Sequence, residues 1–323
     1  MKRMRRILSV ALLGALVAGN VAAQSYPSRP LRIIVPFAAG GPMDTTARLI
    51  SSKMASALNQ PVIVENRGGA GGHIALDALS KAPPDGYTIL LSSDGLAVLP
   101  AVYRKLPFDA AKDFVPVTQL LATTLMLAAS PKFPGASTRD LIALAKSRPG
   151  GLNYGHNGVG SNVHLIMELL KLSAGIDILG VPYKGAALIS TALMTGELHV
   201  AIVPLPGNLE SVKGGRLKAL AVFGERRAPA LPEVQTVGEA GLAGFGFVAW
   251  QGLFVLAKTP RDIIELIQRE AVKALNTPDV RDRLLAMGQV IVGSTADEFD
   301  AKYKADIANY ARIVKQAGIP PQD

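Results

Sequence analysis

The sequence predicts two α/β lobes joined by two extended crossings, on three observations. Short β-branched runs alternate with helical periodicity through the first third of the chain. Glycine-rich or polar loops follow those runs, which is where open parallel sheets hold ligands. Twice, over residues 114–129 and 247–256, a long apolar extended segment breaks the alternation, as expected where a chain leaves one lobe and later returns.

The first residues stand apart from this pattern. Met1-Lys2-Arg3-Met4-Arg5-Arg6 is basic, residues 7–19 are apolar, and Val21-Ala22-Ala23 is a small-residue cleavage site. Residues 1–23 are therefore expected to be an export leader, and the protein periplasmic. The apolar run is short for a membrane span, no later run is long enough, and no cysteine offers a lipid anchor. With no cysteine at all, stability must come from a buried core rather than disulfides. The remaining length suits a first lobe of residues 24–122 plus 248–323 and a second of residues 123–247. Without the leader's four basic residues the formal charge falls from +9 to +5, spread thinly. That is too little for a nucleic-acid surface, and the interleaved aromatic and basic residues of single-strand binders are absent.

In chain order, Leu31–Val35 is a buried strand, Ala39-Gly40-Gly41 a sharp turn, and Pro42 a first helical position with Asp44, Thr45 and Thr46 in the first turn. Strand, glycine turn and open helix N-terminus make an anion site, because free N–H groups converge there and the helix dipole adds positive potential. The plainer reading of the same stretch is an ordinary strand-to-helix connection. A second strand, Pro61-Val62-Ile63-Val64-Glu65, leads to a loop with four glycines over residues 68–72, then a helix over residues 74–81. Dinucleotide and P-loop fingerprints both fail here on spacing. A third strand, Tyr87-Thr88-Ile89-Leu90-Leu91, ends at Ser92-Ser93-Asp94-Gly95.

Beyond the first crossing, a helix starts at Ser137 and a strand at Leu152. Residues 155–164 open a helix reaching Leu172. Then come a strand near residues 178–181, a helix over 186–194, a strand over 199–203, a short helix at 209–213 and a strand at 218–222. After the return crossing the tail is helical over residues 260–275, 279–287 and 296–318.

The chain resembles the Bug-type extracytoplasmic solute receptors, the periplasmic subunits of tripartite tricarboxylate transporters. The matching segments are Tyr26-Pro27-Ser28-Arg29-Pro30, Pro36-Phe37-Ala38-Ala39-Gly40-Gly41 with Asp44, Val64-Glu65-Asn66-Arg67, Pro84-Asp85-Gly86-Tyr87-Thr88 and Asp113-Phe114 with Pro116-Val117. They continue with Gly158-Val159-Gly160-Ser161 and His164, Val181-Pro182-Tyr183-Lys184-Gly185, Thr236 with Glu239-Ala240-Gly241, and Trp250. The resemblance implies a type II periplasmic-binding-protein (Venus flytrap) fold that closes on a small organic carboxylate, held by main-chain N–H groups, hydroxyls and ordered waters. It implies no cofactor, metal or catalytic residue. The expected partners are membrane transporter subunits or a sensor kinase, and the expected state is a monomer. An exported enzyme or an orphan sensory scaffold on the same fold is the alternative.

The candidate ligand-binding residues are Phe37, Ala39, Gly40, Gly41, Asp44, Ser92 and Asp94 in the first lobe. In the second they are Asn157, Gly160, Ser161, His164, Lys184, Gly185 and Pro204. Several have plainer roles. His164 could cap its helix or pair with Glu168 at i+4. Asp94 could accept an amino or hydroxyl group from the solute or cap the helix after it. Trp250 could belong to the core or the hinge. His164 and Glu168 lack a third metal ligand, Ser161 with His164 lacks the Gly-x-Ser-x-Gly elbow, and Ser161 stands where a P-loop needs lysine. Two departures from the family pattern lie in the second lobe. Ala186-Ala187-Leu188-Ile189 lacks the usual proline, and Gly196-Glu197-Leu198-His199 lacks the usual aspartate after its glycine. A less acidic far wall suits a second carboxylate or an apolar ring better than an ammonium group.

Overall fold

The computed structural model describes residues 26–68, 72–242, 244, 245 and 247–322. The expected leader over residues 1–23 and the central glycines of the loop over residues 68–72 lie outside them.

Two sheets form the two lobes. In the first, β1 (Leu31–Val35), β2 (Val62–Asn66) and β3 (Thr88–Ser93) run parallel with β1 central. Leu31, Ile33, Ile34 and Val35 are wholly buried, as a parallel strand covered on both faces requires. The connecting helices are α1 (Pro42–Leu58) and α2 (His73–Ser80), and α3 (Gly95–Val102) follows β3. The sheet extends antiparallel through β10 (Ala249–Leu256) to β4 (Phe114–Thr123) and β11 (Val290–Ile291), giving the order β11-β4-β10-β3-β1-β2. The sequence reading assigns no helix to Gly95–Val102. That segment has no charged residue and contains Pro100, so it carries no amphipathic stripe.

The second sheet has the order β7-β6-β8-β5-β9. Its parallel strands are β6 (Asn153–His156), β7 (Leu179–Pro182) and β8 (Val200–Pro204). Antiparallel β5 (Leu125–Ala129) lies between β8 and β9 (Lys218–Val222). Its helices are α4 (Thr138–Ser147), started by a Ser137–Asp140 capping box, α5 (Asn162–Ala174), α6 (Ala186–Thr195) and α7 (Leu209–Lys213). The tail returns to the first lobe as α8 (Arg261–Leu275), α9 (Pro278–Ala286) and α10 (Ala296–Gln316).

The extended segments resolve more finely than the sequence pattern suggests. Residues 114–129 are two strands of different sheets, and only Thr124 separates them. Residues 249–256 are an interior strand paired with β4 along its length and with β3 over 251–254, so the return between sheets lies upstream, between β9 and β10. Trp250 is core: it is buried against Phe254, Phe299 and Tyr303, and its Nε1–H donates to Asp306 at 2.8 Å.

One core is continuous between the lobes. Tyr310 and Ile313 of α10 join Leu96 of α3 and Phe254 of β10 to Leu127 of β5 and Ile166 of α5. Separate clusters cover the outer faces, around Ile33, Ile50 and Ile267 in the first lobe and around Met126, Ile189 and Val203 in the second. No helix among the described residues is long and apolar enough to cross a membrane.

Candidate ligand-binding cleft

In the first lobe, the loops at the carboxyl ends of β1, β2 and β3 carry the candidate residues. Asn66 Nδ2–H donates to the Phe37 carbonyl at 3.1 Å, and Arg48 holds the Asn66 side-chain oxygen at 3.2 Å. Gly40, in a left-handed conformation with φ of 83°, donates its N–H to Asp44 Oδ2 at 2.8 Å. Arg48 Nε–H donates to the same oxygen at 3.0 Å, and that bond chiefly holds the Asp44 carboxyl below its ordinary pKa. Gly41, the N-cap of α1, accepts at its carbonyl from the Thr45 N–H and hydroxyl. Ala39 is exposed, and Phe37 leaves 49% of its surface open to solvent. Ser92 is buried, yet neither its hydroxyl nor that of Ser93 has a hydrogen-bond partner among the described residues.

The second lobe repeats the device with different chemistry. Gly158 donates its N–H to His156 Nδ1 at 3.1 Å, and Gly160 donates to His164 Nδ1 at 3.3 Å. Accepting at Nδ1 places each ring proton on Nε2 and keeps both imidazoles neutral. Their centroids are 4.6 Å apart. Burial lowers both pKa values, that of His164 to about 4, with His156 adding a smaller push. The pairing of His164 with Glu168 is not formed: Glu168 accepts from the Tyr154 hydroxyl at 2.5 Å and from Lys171 at 2.8 Å. Ser161 is the N-cap of α5, but its hydroxyl caps nothing. Asn157 and Lys184 are exposed, and Lys184 has no hydrogen bond or ion pair among the described residues. Gly185 caps α6 with φ of 124°, and the Pro204 carbonyl accepts from Asn208 Nδ2–H at 2.8 Å.

Asp94 joins the lobes. It sits at the N-cap of α3 without capping it, and accepts instead from Asn162 Nδ2–H at 2.7 Å and from the Tyr310 hydroxyl at 3.3 Å. Burial pushes its pKa up to about 6 against those two bonds, and the Asp306 charge adds to the rise. Near the chain end, Gln322 Nε2–H donates to the Val159 carbonyl at 2.9 Å while its N–H bonds Val102, a second tie between α3 and the α5 loop. Gly160 packs against this tie, so a Cβ there would lie 3.3 Å from Val102.

Among the described residues, four buried side-chain atoms have no partner: Asp44 Oδ1, His73 Nε2, Ser161 Oγ and Gln251 Oε1. All four occur where ligands of such sheets bind. Asp44, His73 and Ser161 stand at the N-termini of the helices after β1, β2 and β6, and Gln251 lies opposite Ser93 across the β10–β3 pair. Buried polar atoms left open in this way are costly unless something fills the place. A cavity of about 80 Å³ opens at the carboxyl ends of β1 and β3, lined by Pro36, Phe37, Leu76, Leu96 and Leu99, with Ser92, Ser93, Gly72 and Gly95. A larger depression of about 560 Å³ lies between the starts of α8 and α10. Its Arg261, Glu265 and Asp297 are already ion-paired, and it is far along the fold from the strand carboxyl ends. No group of three or more candidate metal ligands exists among the described residues.

The sequence reading misses Gln251, His73, His156, Asn162 and Tyr310. Gln251 and His156 carry a trace in the sequence, each being a polar residue closing or interrupting an apolar strand. Tyr310 carries none, since 216 residues separate it from Asp94.

The pattern of a family described as the tripartite tricarboxylate transporter family receptor matches residues 46–319. The chain belongs to this family. Receptor proteins of this kind bind solutes and are not enzymes as a family. Protein BugT of Bordetella pertussis is 35% identical over 324 residues, covering 98% of both chains. The solved periplasmic binding protein BugD is 30% identical with a TM-score of 0.78, over 92% of this chain and 100% of that one. An R. palustris protein, Rpa4515, solved with adipate, is 32% identical with a TM-score of 0.80, over 92% and 100%. The two-lobed fold of these receptors is therefore the fold of this chain.

Proposed function

We propose that the protein is a periplasmic, non-enzymatic receptor that captures a small carboxylate between its lobes and delivers it to a membrane transporter. The observation that carries this reading is that the four unpartnered buried polar side-chain atoms among the described residues all lie at the helix N-termini and strand ends where ligands of such sheets bind. Ser161, at the N-terminus of α5, brings a free hydroxyl and the positive end of a helix dipole, a setting that favours an anion without a buried lysine. The Gln251 amide, turned over, would add a donor from the first lobe. The candidate residues of both lobes thus act together, with Lys184 free to approach the solute from the rim. The adipate-bound relative and the family's description support a carboxylate and a transporter. The lobes are residues 24–122 plus 248–323 and residues 123–247, and closure bends the chain at Thr124 and at the return before β10.

Thermal unfolding of the purified, ligand-free protein against mono-, di- and tricarboxylates tests the reading. A true ligand at 100 times its Kd stabilises by about 2.7 kcal/mol, a rise of about 4–8 °C. Ser161→Ala should abolish the shift without lowering the unliganded Tm. No shift with any carboxylate would overturn the proposal.

A further inference from the structure

The lining of the first-lobe cavity bears on which acids fit, an inference that rests on the receptor reading above. Its side chains are the apolar Pro36, Phe37, Leu76, Leu96 and Leu99 and the two serines, with no ionisable group among them. Ser92 keeps 6% of its surface exposed, and its hydroxyl has no partner among the described residues, so it is a polar point at the edge of an apolar space. Exposed large apolar side chains also gather at the ligand-facing strand ends. Phe37 is 49% exposed, Ile74 in the first turn of α2 49%, Val159 before α5 57% and Leu188 in the first turn of α6 52%. Two come from each lobe, and apolar groups held open on facing loops become favourable once a ligand or closure covers them. Asp94, the carboxylate that ties the lobes together among the described residues, is engaged by Asn162 and Tyr310 and does not line the cavity. Asp44, whose Oδ1 is open, does not line it either.

We propose that the solute is a monocarboxylic acid with an apolar body, its carboxylate held between the Ser161 hydroxyl and those of Ser92 and Ser93, and its chain or ring in the Phe37–Leu76–Leu96–Leu99 cavity, covered on closure by Val159 and Leu188. The acid group keeps its charge among N–H and hydroxyl donors, where bonds to charge are strongest. The body gains by leaving water, and a second charge at its far end would meet only hydrocarbon.

Isothermal titration of the purified protein with propanoate, butanoate, pentanoate, hexanoate, hexanedioate and 2-aminohexanoate tests this. Affinity should rise about fourfold per methylene along the four plain acids, the factor that corresponds to burying one CH₂. Hexanedioate and 2-aminohexanoate should each bind at least about tenfold more weakly than hexanoate, because an extra charge is desolvated without a partner. Phe37→Ser and Leu188→Ser, both at half-exposed positions the fold does not need, should weaken hexanoate about tenfold and propanoate less than about twofold. Affinity independent of chain length would overturn the proposal, and so would tighter binding of hexanedioate. Tighter binding of 2-aminohexanoate would do the same and direct the ammonium to Asp44. Each of these results leaves the receptor reading standing, whereas silence from every acid would remove both.

Discussion

The N-termini of α1 and α5 lie in opposite lobes and are built on the same bond. In each, a glycine one position before the N-cap donates its N–H to the side chain of the third helical residue: Gly40 to Asp44, Gly160 to His164. The acceptor differs. In the first lobe it is an ionised carboxylate steadied by Arg48, which is itself 54% exposed. In the second it is a neutral imidazole, buried and packed on His156. The difference shows that a loop can be fixed at a helix N-terminus in two ways. A carboxylate needs a cation to offset its own field, whereas an imidazole accepting at Nδ1 brings no charge. It also means that both glycine N–H groups are engaged within the loops, so their effect on a ligand runs through loop shape.

The sharpest way to break this parallel is at His164. His164→Leu leaves the Gly160 N–H without a buried acceptor and should cost about 2–3 kcal/mol of stability in urea unfolding, with solute affinity falling more than about tenfold. His164→Asn, which can accept from the same N–H, should recover most of the affinity. If the leucine variant binds as well as the parent, the loop does not depend on that bond.

A smaller effect, of opposite sign, is expected at the bridge between the two helix ends. The folded pKa of Asp94 is raised to about 6, so the folded state holds a proton that the unfolded chain has released. Its contribution is therefore fully present below the unfolded carboxylate range near pH 4 and is lost as pH rises through about 6. Asp94→Asn keeps an acceptor for Asn162 and Tyr310 but never ionises. It should stabilise the protein by about 2 kcal/mol at pH 8 and not at all at pH 4, measured by urea unfolding at both. Equal effects at the two pH values would show that the charge is not what matters there.

The smallest change is expected at Asp44. Asp44→Asn retains an acceptor for Gly40 and loses mainly the charge pair with Arg48, whose guanidinium is open to solvent, so about 0.5–1 kcal/mol should be lost near neutral pH. Because the folded pKa of Asp44 is lowered, the parent's advantage over this variant should shrink as pH falls through the carboxylate range. A loss as large as that of His164→Leu would mean that the two acceptors are interchangeable after all.

Much of the scaffold was legible in the chain. The strands Leu31–Val35 and Lys218–Val222 and the short helix Leu209–Lys213 match the sequence reading residue for residue, and the other elements it names differ from it by only a few residues. Glycines, prolines and β-branched runs act locally, within a few residues of themselves, so their pattern survives without tertiary knowledge. The helix Gly95–Val102 was not legible, because its apolar composition all round reflects burial between lobes rather than an amphipathic face. Nor was the two-residue strand Val290–Ile291, which is a strand only because β4 offers it an edge.

The cleft divides along the same line. Sequence alone placed Gly40, Ser92, Ser161, His164 and the other candidates after strands and at helix N-termini, because the order of strand, glycine loop and helix fixes which end of a parallel sheet they occupy. It also determined that stability comes without disulfides. Only the tertiary structure decided partners. It turned His164 toward Gly160 rather than Glu168, and it gave Asp94 to Asn162 and Tyr310 rather than to its own helix. It also left Ser161, His73 and Gln251 with open buried atoms. The reason is that a residue's position along an element depends on its near neighbours, whereas the partner of a buried polar group depends on what distant segments bring within 3 Å of it, and a single chain pattern does not encode that distance.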